Sequence, residues 1–267
     1  MIAIADYFGY DLPYPQRIRL IAEAGFDAVM LWYGDDFGLA FRAENRPAQA
    51  RACGLRLENV HAPFDEVNHL WEDSADGQRV FEGYLQCVED CARFGIPTVV
   101  VHADRGRTPP PVSALGLERW AALIRRAEAL GVNIAVENLR NAHQIDRAQL
   151  LLERFDSRRF GFCYDSGHWH ARYQDFDWLG RWPQRLMALH LHDNHGGETE
   201  GHDDQHLLPF DGTIDWPAQM RAIAETGYPG PTALEIARKT GYKLCRRKRF
   251  LALAQERAVK LEELRHA

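Results

Sequence analysis

The chain repeats one unit from end to end: a short apolar run, a helical pattern, and then the next apolar run. The apolar runs are rich in Val, Ile, Leu, Phe and Ala, which is typical of strands buried on both faces of a parallel sheet. Several helical patterns stop at a glycine and pass directly into the next run. The repeat therefore predicts an α/β fold with parallel strands joined by helices. The predicted strands are residues 2–8, 26–32, 55–61, 97–103, 132–138, 159–165, 186–192 and 231–236.

Six of the predicted strands end in, or beside, a residue that can bind a metal ion. These residues are His61, His102, Glu137, Asp165 with His168 three positions later, His190 and Glu235. Ionisable groups are costly where a chain leaves an apolar core, so a series of six requires an explanation. The C-terminal ends of parallel strands meet at one rim of a barrel. The sequence therefore predicts a site at that rim, assembled from distant parts of the chain.

The length of the chain favours a closed barrel over an open sheet. A chain of 267 residues is close to the roughly 250 residues of a typical (β/α)8 barrel. An open doubly wound sheet would predict a glycine-rich phosphate-binding turn after the first strand, and ADYFGYDLPYP contains none. We therefore predict a single (β/α)8 TIM barrel over residues 1–267, with its active site at the C-terminal ends of the strands and no nucleotide cofactor.

Composition narrows the expected partners and the compartment. The net charge is −6, so no global basic field attracts nucleic acid. A local basic cleft stays an alternative, and its candidate loops are residues 103–107 and 245–249. No apolar run is long enough for a membrane span, and the N-terminus has no signal-peptide pattern. Five cysteines without a CxxC pair are typical of a reduced, cytoplasmic protein. Whether the chain forms a homo-oligomer stays open.

Four of the strand-end residues form the predicted metal site: Glu137, Asp165, His190 and Glu235. Three carboxylates and one imidazole suit Mn2+, Mg2+, Co2+ or Zn2+. The alternative is that each residue forms its own salt bridge with an Arg or Lys. A second set could bind further metal ions or hydrogen-bond a polyol substrate. That second set is His61, His102, His168, Asp204 and His206.

Aromatic residues near the strand ends offer an apolar wall on which a sugar ring could stack. The alternative is that they only pack the rim of the barrel. The candidates are Tyr7, Phe8, Trp32, Tyr33, Phe64 and Trp169.

Four motifs carry a resemblance to a known family. They are VEN at 136–138, YDSGH at 164–168, HLHDN at 190–194 and DQHLLPFDGTIDW at 204–216. With them, the chain resembles the xylose-isomerase-like TIM-barrel superfamily. That group includes sugar isomerases, ketose epimerases, hydroxypyruvate isomerases, inosose dehydratases and the endonuclease IV class of DNA-repair enzymes.

The resemblance implies roles for the candidate residues. Glu137, Asp165, His190 and Glu235 would hold the divalent metal ion, and Glu137 and Glu235 would also be the catalytic acid/base pair. His168 would contact the substrate, and we place His61, His102 and Trp32 beside it as further substrate-binding residues. Ketose epimerases usually carry an Arg shortly after the HxxD segment, whereas DNHGGETEGHDD contains none.

Three functions follow as hypotheses. The first is a metal-dependent sugar isomerase or epimerase that transfers a proton alpha to a carbonyl of a small polyhydroxylated substrate. The second is an abasic-site nuclease like endonuclease IV, and the third is a non-catalytic carbohydrate-binding barrel. The nuclease would hold a zinc cluster with the nine candidates His61, His102, Glu137, Asp165, His168, His190, Asp204, His206 and Glu235. The sequence does not decide between isomerisation, epimerisation and dehydration.

Overall fold

Eight parallel strands form one closed barrel in the computed structural model, which describes residues 1–33, 45–197, 203–238 and 240–267. Hydrogen-bonded neighbours follow the order β7-β6-β5-β4-β3-β2-β1-β8. A single bridge between Leu191 and Leu234 joins β7 to β8 and closes the ring. The predicted (β/α)8 fold is therefore confirmed. The strands are β1 (Ile2–Ala5), β2 (Ala28–Trp32), β3 (Arg56–His61), β4 (Thr98–Val101), β5 (Asn133–Glu137), β6 (Phe160–Asp165), β7 (Leu186–His190) and β8 (Thr232–Leu234).

Helices surround the barrel, and their ends follow local sequence signals. The helices described are α1 (Tyr14–Glu23), α2 (Asn45–Ala52), α3 (Ala75–Phe94), α4 (Ala114–Leu130), α5 (Ala142–Arg154), α6 (Ser166–Arg172), α7 (Trp178–Arg181), α8 (Trp216–Glu225) and α9 (Arg247–Arg265). Short 3-10 helices cover Val67–Trp71, Pro183–Arg185 and Thr240–Tyr242. The side chain of Ser113 caps α4 by accepting a hydrogen bond from the backbone N–H of Gly116. In the part of the chain described here, no helix combines the length and the apolar character that crossing a bilayer requires.

The interior of the barrel is layered because side chains alternate along each strand. Val100, Ala135, Cys163 and Ala188 form a separate fully buried cluster of small residues. Each lies two positions before a predicted site residue, so His102, Glu137, Asp165 and His190 occupy the next layer toward the C-terminal rim. Small side chains below the site leave the larger apolar residues to pack between the sheet and the helices. The layer of small residues therefore lies directly below the layer that carries the site residues.

Several strands are shorter than the apolar runs that predicted them. β1 ends at Ala5, β4 at Val101 and β8 at Leu234. His102 and Glu235 therefore lie one residue beyond their strands, where the backbone N–H of Glu235 donates to the carbonyl of Leu191.

The contact between α4 and the Val67–Trp71 segment provides a test of this packing. A methyl group on Gly116 would overlap the indole ring of Trp71, which is buried and donates to the carbonyl of Ala103. We expect Gly116→Ala to lower the free energy of unfolding by about 1–3 kcal/mol, measured by urea denaturation. Glu118→Ala, at an exposed position of the same helix, is the control. Equal stability of both variants would contradict the packing described.

Candidate metal centre and active site

The four predicted metal ligands meet at the C-terminal end of the barrel. One ligand atom from each of Glu137, Asp165, His190 and Glu235 lies within 4.8 Å of the others. Glu137, Asp165 and His190 close strands β5, β6 and β7, and Glu235 follows β8. All four side chains are buried. Four neighbouring strands therefore deliver these groups to one point, as the barrel geometry predicts.

The neighbours of these groups are histidines. Within the described residues, each ion pair found for Glu137, Asp165 or Glu235 has an imidazole as its cationic partner. The Nδ1 atom of His190 lies 3.3 Å from Oε2 of Glu137 and 3.2 Å from Oε2 of Glu235. The alternative of separate salt bridges to Arg or Lys therefore finds no support here.

Two buried ligand atoms fit a divalent cation. Oδ1 of Asp165 accepts a hydrogen bond from the backbone N–H of His168. Among the residues described, Oδ2 of Asp165 and Nδ1 of His190 have no hydrogen-bond partner with suitable geometry. Buried polar atoms in this state are rare and call for a partner. Three carboxylates and one imidazole are a donor set that Mn2+, Mg2+, Co2+ and Zn2+ accept, so these residues fit such an ion.

Electrostatics at the centre favour charged forms despite burial. Burial alone would raise the pKa of Glu137, but the imidazoles of His102 and His190 outweigh it and hold the pKa well below its usual range. Burial would likewise raise the pKa of Glu235, yet His190 and His206 lower it to about 2. Burial lowers the pKa of His190, but Cys163 and the two glutamates raise it well above its ordinary value. The metal-free centre is thus a buried cluster of opposite charges.

Three further histidines surround Glu137. Nε2 of His61 lies 3.1 Å and Nε2 of His102 lies 3.4 Å from Oε2 of Glu137. Nδ1 of His168 lies 3.1 Å from Oε1 of the same carboxylate. Burial lowers the pKa of His102 despite Glu137, whereas Asp165 and Glu137 overcome burial and raise the pKa of His168 to about 10. One neutral and one protonated imidazole therefore contact the same carboxylate.

Aromatic side chains hold two of these imidazoles in place. Trp32 stacks on His61 with ring centroids 4.4 Å apart, and Phe64 stacks on His102 at 4.5 Å. Trp32, Phe64 and Tyr7 line the cavity above the centre. Phe8 and Tyr33 are fully buried in the hydrophobic core, so for these two residues the aromatic-wall interpretation is wrong and the alternative of packing holds.

A second cluster of ionisable groups stands beside the first. His192, Asp204 and His206 each place one ligand atom within 4.8 Å of the others. The rings of His192 and His206 stack at 4.0 Å, and Nε2 of His192 lies 3.0 Å from Oδ1 of Asp165. Any side chain on Gly167 would overlap the His192 ring, which explains the glycine of YDSGH. The sequence gives a signal for His192, because it shares a strand face with His190 at a spacing of two.

A cavity of about 470 Å3 opens above both clusters. Its lining includes Glu137, Glu235, Asp204 and the histidines at 61, 102, 168 and 206. Four arginines, which we call the arginine rim, line the same cavity: Arg105, Arg107, Arg140 and Arg172. The basic loop at 103–107 pointed to the first two, but Arg140 and Arg172 were not among the predicted site residues. Arg140 lies in the loop that follows β5, and no periodic pattern in the sequence marks it.

Comparison with known proteins places the chain among its relatives. The family described as "Xylose isomerase-like TIM barrel" matches residues 18–259. The chain belongs to this family. It is 30% identical to the uncharacterized protein y4fM of Sinorhizobium fredii, over 85% of this chain and 82% of that protein. The resemblance seen in the VEN, YDSGH and HLHDN motifs is thereby confirmed at the level of the family.

Solved structures share the fold at low sequence identity. D-psicose 3-epimerase from Clostridium cellulolyticum H10 superposes with a TM-score of 0.78 at 17% identity, covering 99% of both chains. The IOLI protein, crystallised with a bound zinc atom, gives a TM-score of 0.77 at 17% identity over 97% of each chain. The barrel is therefore common to all three proteins.

The raised pKa of His190 makes metal binding dependent on protons. We therefore expect the imidazole to be protonated at pH 7 in the metal-free protein, whereas coordination of a metal ion by its ring nitrogen requires it to be neutral. We expect each bound ion to release about one proton, so affinity rises with pH. Calorimetry of Mn2+ binding in two buffers of different ionisation enthalpy measures this release. A His190→Gln variant should bind Mn2+ more weakly and release fewer protons. A heat of Mn2+ binding that is the same in both buffers would contradict the prediction.

Proposed function

We propose that this protein is a divalent-metal-dependent isomerase or epimerase that transfers a proton alpha to a carbonyl of a small polyhydroxylated substrate. The observation that carries the proposal is the approach of Glu137 and Glu235 to one nitrogen of His190 at the base of a cavity of about 470 Å3. A cavity of this size suits a small molecule. Membership of the family and the similarity to a D-psicose 3-epimerase support the same reaction class.

We infer that the two glutamates act from different sides of a substrate. A bound divalent ion would polarise the carbonyl oxygen and lower the pKa of the neighbouring C–H. Glu137 closes β5 and Glu235 follows β8, three strands further around the ring. Glu235 takes the proton from carbon, and the group formed by Glu137 and its histidines returns one. Return to the opposite face of the same carbon gives epimerisation, and return to the neighbouring carbon gives isomerisation.

The remaining candidates bind and orient the substrate. His61 and His102 present imidazoles to the cavity and are fixed by stacking on Trp32 and Phe64. Burial lowers the pKa of His102, and the neutral imidazole that this favours can donate one hydrogen bond and accept another, which matches a sugar hydroxyl. The protonated His168 serves as a donor to a substrate oxygen. Trp32 supplies an apolar face for the C–H side of the sugar.

Exchange of hydrogen with solvent tests this chemistry directly. Metal-loaded protein incubated with D-psicose, D-tagatose and D-fructose in deuterated water should place deuterium at the reacting carbon, measured by mass spectrometry. We expect Glu235→Gln to slow exchange at least about a hundredfold while the melting temperature of the metal-free protein stays near or above that of the unchanged chain. Glu153→Gln, an exposed residue paired with Arg181, is the matched control. Unchanged exchange in the Glu235 variant would contradict the assignment.

A second candidate function is metal-dependent hydrolysis of a phosphodiester, as in an abasic-site nuclease. The observation that favours it is the second cluster of His192, Asp204 and His206 next to the first, which offers ligands for more than one ion. Cationic side chains on the same cavity could contact phosphates.

Metal content separates the two candidates. We expect elemental analysis after dialysis to find one ion per chain, and a duplex with one abasic site to remain intact. Three ions per chain together with incision of that duplex would support the nuclease instead. Ketose binding without deuterium exchange would support a non-catalytic carbohydrate-binding barrel. Glu235→Gln protein serves as the control for contaminating nuclease, because incision by this site requires that residue's carboxylate.

A further inference from the structure

We propose that the arginine rim is a subsite for an anionic group of the substrate, a phosphate or a carboxylate carried at the end opposite the reacting carbonyl. The inference rests on the proposed function and narrows its substrate class from neutral to acidic polyols. It differs from a wholly hydroxyl-binding site, which needs no cluster of guanidinium groups.

The charges of the cavity are separated along its depth. The glutamates lie at its buried base, where Glu137 and Glu235 are less than one-tenth exposed. All four arginines line the cavity, and Arg105 and Arg107 are exposed whereas Arg140 and Arg172 are half-buried. The chain as a whole has a net charge of −6, so this concentration of arginine is a local feature. A substrate whose carbonyl reaches the base therefore presents its other end to the guanidinium groups.

The loop that carries Arg105 and Arg107 is held firmly against its surroundings. The backbone N–H of Arg105 donates to the side chain of Asn68, whose amide donates back to the Arg105 carbonyl, both at 2.9 Å. The ring of His143 donates to the carbonyl of Gly106 at 3.0 Å. The Arg105 guanidinium lies over the ring of Phe64 at 5.3 Å and contacts Asp65. The loop is thus arranged before any ligand arrives.

The two inner arginines share a buried carboxylate. Nη2 of Arg172 lies 2.8 Å from Oδ2 of Asp203, and Nη1 of Arg140 lies 3.6 Å from its Oδ1. Asp203 is fully buried. Nη1 of Arg140 also lies 2.9 Å from Asp204, which itself binds His206 at 2.9 Å. The carboxylates therefore orient the guanidinium groups and are divided among several cations.

An oxyanion is the ligand that such a group recognises best. Guanidinium donors form paired hydrogen bonds to carboxylate and phosphate oxygens. The side chains of Asn141 and Gln144 also line the cavity, where Oδ1 of Asn141 accepts a hydrogen bond from Arg172. Because the side chains are already positioned, little conformational entropy is lost when the anion binds. The volume of the cavity suits the end of a small molecule. Binding of a nucleic acid strand in the test would contradict the proposal.

Three matched probes test the subsite. Each is a four-carbon polyhydroxy hydroxamate, which chelates a metal ion at one end, and the other end carries a phosphate, a carboxylate or a hydroxymethyl group. Calorimetry with Mn2+-loaded protein measures their dissociation constants. We expect at least one charged probe to bind about tenfold or more tightly than the neutral probe, and the better of the two charged probes identifies the natural anionic group.

Variants assign the preference to the arginine rim. Arg105→Ala/Arg107→Ala, at two exposed positions, should remove most of the preference for the charged probe over the neutral probe. Arg181→Ala, an exposed arginine that pairs with Glu153, should leave this preference unchanged. Arg140→Lys should weaken binding of the charged probe, while the metal content of the protein stays the same.

The outcomes separate this inference from the proposed function. If the neutral probe binds and neither charged probe binds more tightly, the subsite is wrong and the proposed chemistry stands. If no probe binds metal-loaded protein, both are wrong. A single-stranded oligonucleotide with an abasic site and the neutral probe are each used to displace the charged probe. If the oligonucleotide displaces it at the lower concentration, the arginine rim binds a nucleic acid, and the assignment to a small molecule is overturned.

Discussion

The carboxylates of Glu137 and Glu235 meet at one nitrogen of His190, deep at the C-terminal end of the barrel. Burying ionised groups costs free energy that only close partners of opposite charge can offset. The imidazoles of His168 and His190, whose pKa values are raised, are those partners in the metal-free protein, and a divalent ion is the partner for which the donor set is suited. Much of the rim architecture, including the stacked pairs Trp32–His61 and Phe64–His102, keeps these partners in place.

The barrel arranges its side chains in three levels along its axis. Small apolar residues such as Ala135 and Ala188 fill the interior below the site. Carboxylates and imidazoles form the middle level, and arginines and aromatic rings surround the opening. The strand period of two produces the first step, because each small residue precedes a site residue by two positions. One bound molecule can therefore contact the carboxylates and imidazoles of the middle level and the arginines at the opening at the same time.

Sequence reasoning succeeds where the pattern is periodic and is incomplete where it is not. Buried apolar runs identify all eight strands, and their last residues identify the four groups of the candidate centre. Helices α2, α6 and α7 were not predicted because they are short or lack an apolar stripe. Asp165 closes β6 and caps α6 with the same side chain, so no separate helix signal precedes α6. Three arginines of the rim lie in loops, whose residues follow no period, and Arg172 is the last residue of the unpredicted helix α6.

The closure of the barrel depends on the same residues as its chemistry. Most strand pairs are joined by several registered positions, whereas β7 and β8 meet through the single pair Leu191 and Leu234. His190 and Glu235 stand on either side of this seam, one on each strand's exit. An ion held by both residues would link the seventh strand to the eighth. Removing it would therefore loosen the ring at that seam first, so amide hydrogen exchange would report metal loss there before the rest of the barrel.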